Sequence, residues 1–361
     1  MSAKVSRLSD VARTAEVSVA TVSRFLNNRL QLPEETAARI RRAVAEHEYT
    51  PNPHARNLSL GRSETIALVV PDIANPYFAR LAAAVEREAG QQGYALTLCA
   101  SLNTLQRERE YIARLSGSAV DGIIFVSNHA DDGTLRDPIN ASSRRVVILD
   151  EDVGGVVGPR VFSDNELGGY LAGRHLIEMG HRSIAFFGGP QAMRSTEARL
   201  AGIRRAIAES NQHVVIRDEF FGAYSPEHGR ACASRFLSSG SEATALLVSS
   251  DEIMIGALEI FRREGIRLPS QLSVIGFDDI APFVLFDPPL TSIRQPVEMM
   301  GRRAVDLLIR SLRGEDLDRV IEYLPVELIL RGSVSHPRAG KRLPPSADNQ
   351  KEGNEHDEID A

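Results

Sequence analysis

Cysteine is scarce in this chain, two residues in 361. Cys99 lies in an apolar, strand-like run and Cys232 in a helical one, so both read as buried free thiols rather than a disulfide. Long apolar runs are missing too, and none approaches the ~18 residues of a membrane helix. The opening "MSAKVSRLSD" has no apolar region behind its basic residues and does not read as a secretory signal. The nine histidines have no Cys-x-x-Cys or His-Glu-x-x-His companions, so no metal is expected. Catalytic motifs are equally thin: no nucleophile elbow, no phosphate loop, and glycine spacings in "GGVVG" and "GGYLAG" that do not fit a dinucleotide fingerprint. Asp278 and Asp279 could pair as acids, but consecutive side chains diverge, so one is expected in a cleft and the other at a helix cap. The expectation is a cytoplasmic protein, not an enzyme, with no cofactor and no membrane partner.

What is present is an ordinary globular composition, 43% hydrophobic and 25% charged, with a charge asymmetry beneath it. Residues 1–62 carry ten Lys/Arg against six Asp/Glu, a balance of +4 that leaves −10 for the rest. A basic leading module on an acidic body points to a polyanion for the module alone.

Three pieces follow along the chain. Residues 6–50 have helical periodicity: a short helix from Leu8 to Ala15, a second capped by Ser18, and a third opened by Pro33-Glu34-Glu35. Leu8, Val11, Val17, Val22, Leu26, Ile40 and Val44 are its expected core. On the second helix, Val22, Phe25 and Leu26 form one stripe, while Val19, Ala20, Ser23, Arg24 and Asn27 form another. Residues 51–62 hold a helix of about eight residues, short of the ~12–15 needed to stand alone in water, so it reads as a linker or as a segment that folds on docking. From Thr65 to about Ser335, apolar strands alternate with amphipathic helices, the pattern of a parallel sheet covered on both faces. About eight strands are expected, in two doubly wound subdomains: about 63–162 plus 291–324, and about 163–290 plus 325–335. Residues 336–361 are polar and Pro-rich and are expected to be disordered.

Ligands of open α/β sheets bind beyond the carboxyl ends of the strands. Those ends carry Asp72, Asn75, Tyr77 and Phe78; Ser127 and Asn128; Asp150; Ser195 and Arg199; Tyr224; Ser250 and Asp251; Asp278 and Asp279. Each has a duller reading as a loop or cap residue. Their recurrence at nearly every strand end suits a small polar ligand held across a cleft, with a flat apolar face stacked on a ring.

The runs "LSDVARTAEVSVATVSRFLNN", "YTPNPHARNLSLGRS", "TIALVVPDIANPYF", "DGIIF", "HRSIAFFGG", "ARLAGIRRA", "SSDEIMIGAL" and "LSVIGFDDIAPFVLFDPPLTSIRQP" together resemble the lactose-repressor/galactose-repressor family of bacterial transcription regulators. The resemblance runs in order from about residue 7 to 333. It implies a helix-turn-helix at residues 8–27, with Val19, Ala20 and Arg24 on base edges of operator DNA and Ser18, Thr21, Ser23 and Asn27 on phosphates. It implies a hinge helix at 51–62 that pairs with its dimer mate in the minor groove, Leu58 wedged into a base step. It implies a body like periplasmic binding proteins, taking a small sugar, polyol or sugar acid on Asn75, Phe78, Ser127, Asp150, Arg199, Tyr224, Asp251, Asp278 and Gln295. A homodimeric operator-binding regulator, more specifically a repressor, is the function expected. Its rivals are a solute-binding protein without DNA function and a carbohydrate-acting enzyme.

Three positions depart from the family pattern. Glu16 stands where the turn usually has glycine, implying strain there. Arg7 replaces the usual Thr cap of the first helix, leaving Ser6 or Ser9 to substitute. Ser250 replaces the commoner Asn before Asp251.

Overall fold

The computed structural model describes residues 7–27, 30–50, 62–116, 120–129, 132–142 and 145–337. The expected hinge with Leu58, and the tail beyond 337, lie outside the described residues. The chain divides into a leading unit to Glu64 and a body from Thr65.

The leading unit holds α1 (Leu8–Thr14), α2 (Val19–Leu26) and α3 (Glu34–Glu46). The Ser18 hydroxyl accepts from the Thr21 amide at 3.0 Å, capping α2 as expected. At α1 the expectation fails in detail. Ser9 lies inside the helix, and the Asp10 carboxylate instead accepts the Arg7 amide at 3.2 Å. Pro33, with a fixed φ and no N–H to strand, precedes α3, and Glu34 and Glu35 place acid against its dipole. Val11, Ala12, Ala15, Val22, Ile40 and Ala43 are buried, with Leu8, Val17, Phe25, Leu26, Leu32, Val44 and Tyr49 packed around them. Glu16 has φ +52°, the left-handed conformation a glycine would take without cost.

The body is built from β1 (Thr65–Val70), α4 (Pro76–Gln91), β2 (Ala95–Ala100), α5 (Leu105–Leu115), β3 (Gly122–Phe125), α6 (Arg136–Asn140), β4 (Arg145–Leu149) and β5 (Arg160–Ser163). Then follow α7 (Asn165–Glu178), β6 (Ser183–Gly188), α8 (Arg194–Glu209), β7 (Val215–Phe221), α9 (Pro226–Ser238), β8 (Ala245–Val248), α10 (Asp251–Arg263) and β9 (Ser273–Phe277). The chain ends with β10 (Thr291–Arg294), α11 (Val297–Leu312), β11 (Ile321–Leu324) and β12 (Glu327–Ile329). Two six-stranded sheets result, ordered β11-β5-β4-β3-β1-β2 and β12-β10-β9-β8-β6-β7. All pairings are parallel except β10 with β12.

Each sheet buries both faces, which is why its central strands read as unbroken apolar runs. Ile66, Leu68 and Val147 face α4 and α11 in the first sheet; Ala67, Val69 and Phe125 face the side of Ile112 and Ile139. Two boundaries differ from expectation. β10 pairs with β9, so the chain returns to the first sheet only after Arg294, and residues 291–294 belong with the second. His336, placed in the tail by the sequence reading, is held to the body: its Nδ1 bonds the Met179 carbonyl at 2.7 Å.

Candidate functional site

Parallel strands all end on the same edge, so each sheet presents its loops and helix N-termini together. In the body those edges close on a cavity of about 40 Å³ lined by Asn75, Tyr77, Phe78, Asn128, Asp150, Glu151, Met193, Ser195, Arg199, Tyr224, Ser250, Asp251, Glu252, Asp278 and Gln295. Eight of the nine residues expected to meet a ligand are therefore brought together. Ser127 is not: its hydroxyl donates to the Glu108 carboxylate at 2.9 Å, and its neighbour Asn128 faces the cavity instead.

The walls hold one another in place. Asn75 caps α4 by accepting the Tyr77 amide at 2.7 Å, and its amide nitrogen lies 3.4 Å from Asp251 Oδ1. The Tyr77 hydroxyl donates to Asp150 Oδ1 at 2.5 Å. Gln295 Nε2 donates to Asp278 Oδ1 at 2.5 Å, and the Asp251 amide to Asp278 Oδ2 at 3.0 Å. Ser250 caps α10 through the Ile253 amide, so the departure from the family's Asn leaves the helix start closed. Arg199 Nε donates to Asn165 Oδ1 at 2.8 Å, its Nη1 donates to the Ser249 carbonyl, and the guanidinium lies 3.9 Å from the Phe277 ring centre. Asp150 and Asp278 both sit in the left-handed region, at φ +74° and +76°. Such strain collects at functional sites, where packing over-determines it.

Burial dominates the electrostatics. It pushes the Asp150 carboxyl up to about 6 against the opposing Tyr77 hydrogen bond and Arg199 charge. It raises Asp251 strongly, with the Asp278 charge adding to it, and takes Glu252 up to about 7. Burial also raises Tyr77, helped by the adjacent Asp150.

Glu151, Met193 and Glu252 escape a reading of the sequence. Glu151 and Glu252 each directly follow an acid already placed at a strand end, so the first of each pair drew attention. Glu151 nonetheless ties the two sheets together: its carboxylate, on the first sheet's edge, accepts the Arg194 and Ser195 amides at 2.9 and 3.2 Å and so caps α8 of the second. Met193 carries no polar signal. Among the described residues no His, Cys, Asp and Glu group has metal-binding geometry, and no helix is long and apolar enough to cross a membrane.

In the leading unit, the two stripes of α2 separate as expected. Val22 is buried and Phe25 and Leu26 pack on the core, whereas Val19, 46% exposed, Ala20 and Arg24 face outward. Ser18 is exposed, and Thr21, Ser23 and Asn27 are half-buried along the flank of the outward stripe. The Ser18 and Thr21 hydroxyls lie 2.8 Å apart.

Comparison with known proteins decides the family. The pattern of bacterial regulatory proteins of the lacI family matches residues 7–52, and that of a periplasmic binding protein-like domain matches residues 174–334. The transcriptional repressor PurR of Mannheimia succiniciproducens is 33% identical over 332 residues, covering 91% of this chain and 98% of that protein. The chain belongs to the lacI family. The regulator DegA of Bacillus subtilis is 32% identical over 90% of this chain and 97% of its own. A lac repressor dimer solved with operator and the anti-inducer ONPF has a TM-score of 0.81 at 27% identity, covering 92% of this chain and all of that one. A CelR–cellobiose complex has a TM-score of 0.69 at 30% identity, with 91% and 99% covered. This lacI-family member is accordingly a DNA-binding transcriptional regulator with a ligand-binding body, and not an enzyme.

Proposed function

We propose that this regulator is a homodimeric repressor that binds a pseudo-palindromic operator and answers to a small hydroxyl-rich ligand, a sugar or related polyol. The observation that carries the ligand class is the lining of the body's cavity, where carboxylates, amides and one guanidinium alternate with the Tyr77, Phe78 and Tyr224 rings. Vicinal hydroxyls bond such groups at several points while the ring face of a sugar stacks on an aromatic side chain. In the leading unit, Arg24 reads guanine, Val19 and Ala20 pack on base edges, and Ser18, Thr21, Ser23 and Asn27 hold phosphates. Leu58 wedges into the minor groove at the operator centre.

The size of the cavity supplies the means of control. A buried water needs ~10–15 Å³, so the site has room for about three. A ligand of sugar size therefore enters only by moving walls that belong to different sheets, among them the Asn75–Asp251 and Glu151–α8 contacts. Binding shifts the spacing of the two subdomains, and the connecting segment at 51–62 converts that shift into operator affinity. Self-association is supported by an exposed apolar run, Val284 at 50%, Leu285 at 84% and Phe286 at 38%. It borders a concavity of about 1130 Å³ framed by Leu258, Phe261, Leu268 and Leu290.

A thermal-shift screen against sugars, polyols and purine bases, paired with gel retardation of the fragments flanking the chain's own gene, tests the reading. The expected result is stabilisation by a polyol that also changes retardation. Stabilisation by a purine base alone, or no retarded fragment at low salt with or without ligand, would overturn it.

A further inference from the structure

Resting on that reading of the cavity, its charge pattern narrows the ligand further. Five carboxylates, from Asp150, Glu151, Asp251, Glu252 and Asp278, line the space with a single guanidinium, Arg199. Much of the Arg199 charge is spent within the protein, on Asn165, the Ser249 carbonyl and the Phe277 face. Glu151 is likewise spent on the first amides of α8, where the helix dipole favours an anion. Asp278 is spent in the same way, on the Gln295 side-chain amide and the Asp251 backbone amide, and Asp150 takes the Tyr77 hydroxyl. Asp251 and Glu252 remain. Two acceptor atoms in the same wall, Asp251 Oδ2 and Gln295 Oε1, have no hydrogen-bond partner although both residues are only 2% exposed. Buried acceptors without donors are costly, so the wall is built to receive donors from outside the chain.

Three ligand classes meet such a wall differently. An anionic sugar acid adds to the repulsion. A neutral hydroxyl donates one proton and leaves the negative charge in place. An ammonium group donates three protons and cancels charge. The upward displacement of Asp251 and Glu252 by burial, reinforced by Asp278, agrees with a wall that lacks a cation.

We propose that the effector is an amine-bearing polyol, an amino sugar or amino-alditol, whose protonated amine sits against Asp251 and Glu252 while its hydroxyls meet Asp150, Arg199 and Gln295. Calorimetric titration of the full chain at pH 7 tests this with matched compounds: glucosamine, glucose and glucuronate; galactosamine, galactose and galacturonate; glucamine and sorbitol; and putrescine, an amine without hydroxyls. The expected result is an amine at least about tenfold tighter than its parent polyol, the worth of one charge-assisted contact, with the acid weaker still. Asp251→Asn and Glu252→Gln, both nearly isosteric, each bring that ratio toward one. A parent polyol or acid that binds as tightly as the amine overturns the amine and leaves the polyol reading standing, and so does a ratio untouched by both substitutions. Putrescine binding where no polyol binds overturns the polyol reading and keeps the cation. Silence from every compound counts against both.

Discussion

Arg24 projects from α2 beside exposed Val19 and Ala20, while Val22 on the same helix is fully buried. Removing its guanidinium therefore touches no core contact. Arg24→Ala is expected to weaken operator binding by ~5- to 150-fold, the ~1–3 kcal/mol of one fork-shaped guanine contact. Ligand affinity in the body should not change, and parallel loss of both in titrations would reject the assignment. Glu108 supports a prediction of another kind. Its carboxylate is fully buried between the Ser101 and Ser127 hydroxyls, with the His129 ring 3.8 Å away. Burial outweighs the two serine hydrogen bonds and pushes it up to about 7 from 4.5. The folded chain thus holds this proton more tightly than the unfolded one, and the stability it confers at pH 4.5 is lost as pH rises through 7. Glu108→Gln removes the titration. It is expected to unfold at higher denaturant than the parent at pH 8, by about 1–3 kcal/mol, with the gap closing near pH 5; a constant gap across that range would contradict the cause given. This same carboxylate explains the one ligand candidate that sequence misplaced. A serine at a strand end can face the cleft or the layer behind it, and only the buried acid on α5 decides that Ser127 faces back. Seven of the other eight were legible because strand polarity brings every strand's carboxyl end to one edge, whatever the helices between do; Gln295, on the return crossing, came only from the family resemblance.

The helix-turn-helix depends on a tight turn that the sequence supplies with the wrong residue. Glu16 is held at φ +52°, where a Cβ costs roughly 1–2 kcal/mol. Glu16→Gly should recover part of this, about 0.5–1 kcal/mol after the extra freedom of the unfolded glycine is counted, as a higher melting temperature of the leading unit. A lower one would show that Glu16 has compensating contacts. The packing of α7 on α8 shows the opposite use of glycine. A Cβ on Gly169 would fall 1.9 Å from the Arg199 carbonyl oxygen, and one on Gly202 would fall 2.0 Å from that of Glu166. Backbone meets backbone here, and this close crossing seats Arg199 against Asn165. Gly169→Ala must push the helices apart, at about 1–3 kcal/mol, and carry Arg199 with them. Calorimetry should find both a lower melting temperature and weaker ligand binding; stability lost with affinity intact would separate the crossing from the site. Element by element, the strands with continuous apolar runs were plain in the sequence, the four-residue β3 and β8 among them; β5, β10, β11 and β12 were not. β5, β10, β11 and β12 have three or four residues each and lie where the chain passes between sheets. Short and mixed with polar residues, as in "TSIR" and "IEYL", they owe their strand conformation to the neighbouring strands they pair with. β7 runs along the sheet edge with exposed and half-buried residues alternating over most of its length, as in "VIRDEFF", so no continuous apolar run marks it.

At the scale of the whole molecule, two copies matter more than any contact within one. A three-helix unit of about forty residues presents a small surface to DNA, and a single half-site contact made by it is weak at physiological salt. Pairing two such units converts the second contact into an intramolecular one, a gain of ~10²–10⁴ without any new interaction. That gain depends on the surface joining the copies. The apolar run at Val284, Leu285 and Phe286 is the candidate, and in a two-fold interface the same patch appears on both sides. One substitution there acts twice. Leu285→Lys places two ammonium groups at a mutual apolar contact, and since Leu285 is 84% exposed in the single chain, the fold itself loses almost nothing. The expected outcome is a monomer in sedimentation at micromolar concentration, with a melting temperature that no longer rises with protein concentration as the dimer's does. Affinity for a full operator should fall by ~10²–10⁴ while affinity for an isolated half-site stays put. The thermal response to ligand should survive as well, because the cavity is complete within one chain. If the variant still sediments as a dimer, this patch is not the joining surface; if it becomes a monomer yet retards full operator as well as the parent, the gain from pairing is not what gives the regulator its grip.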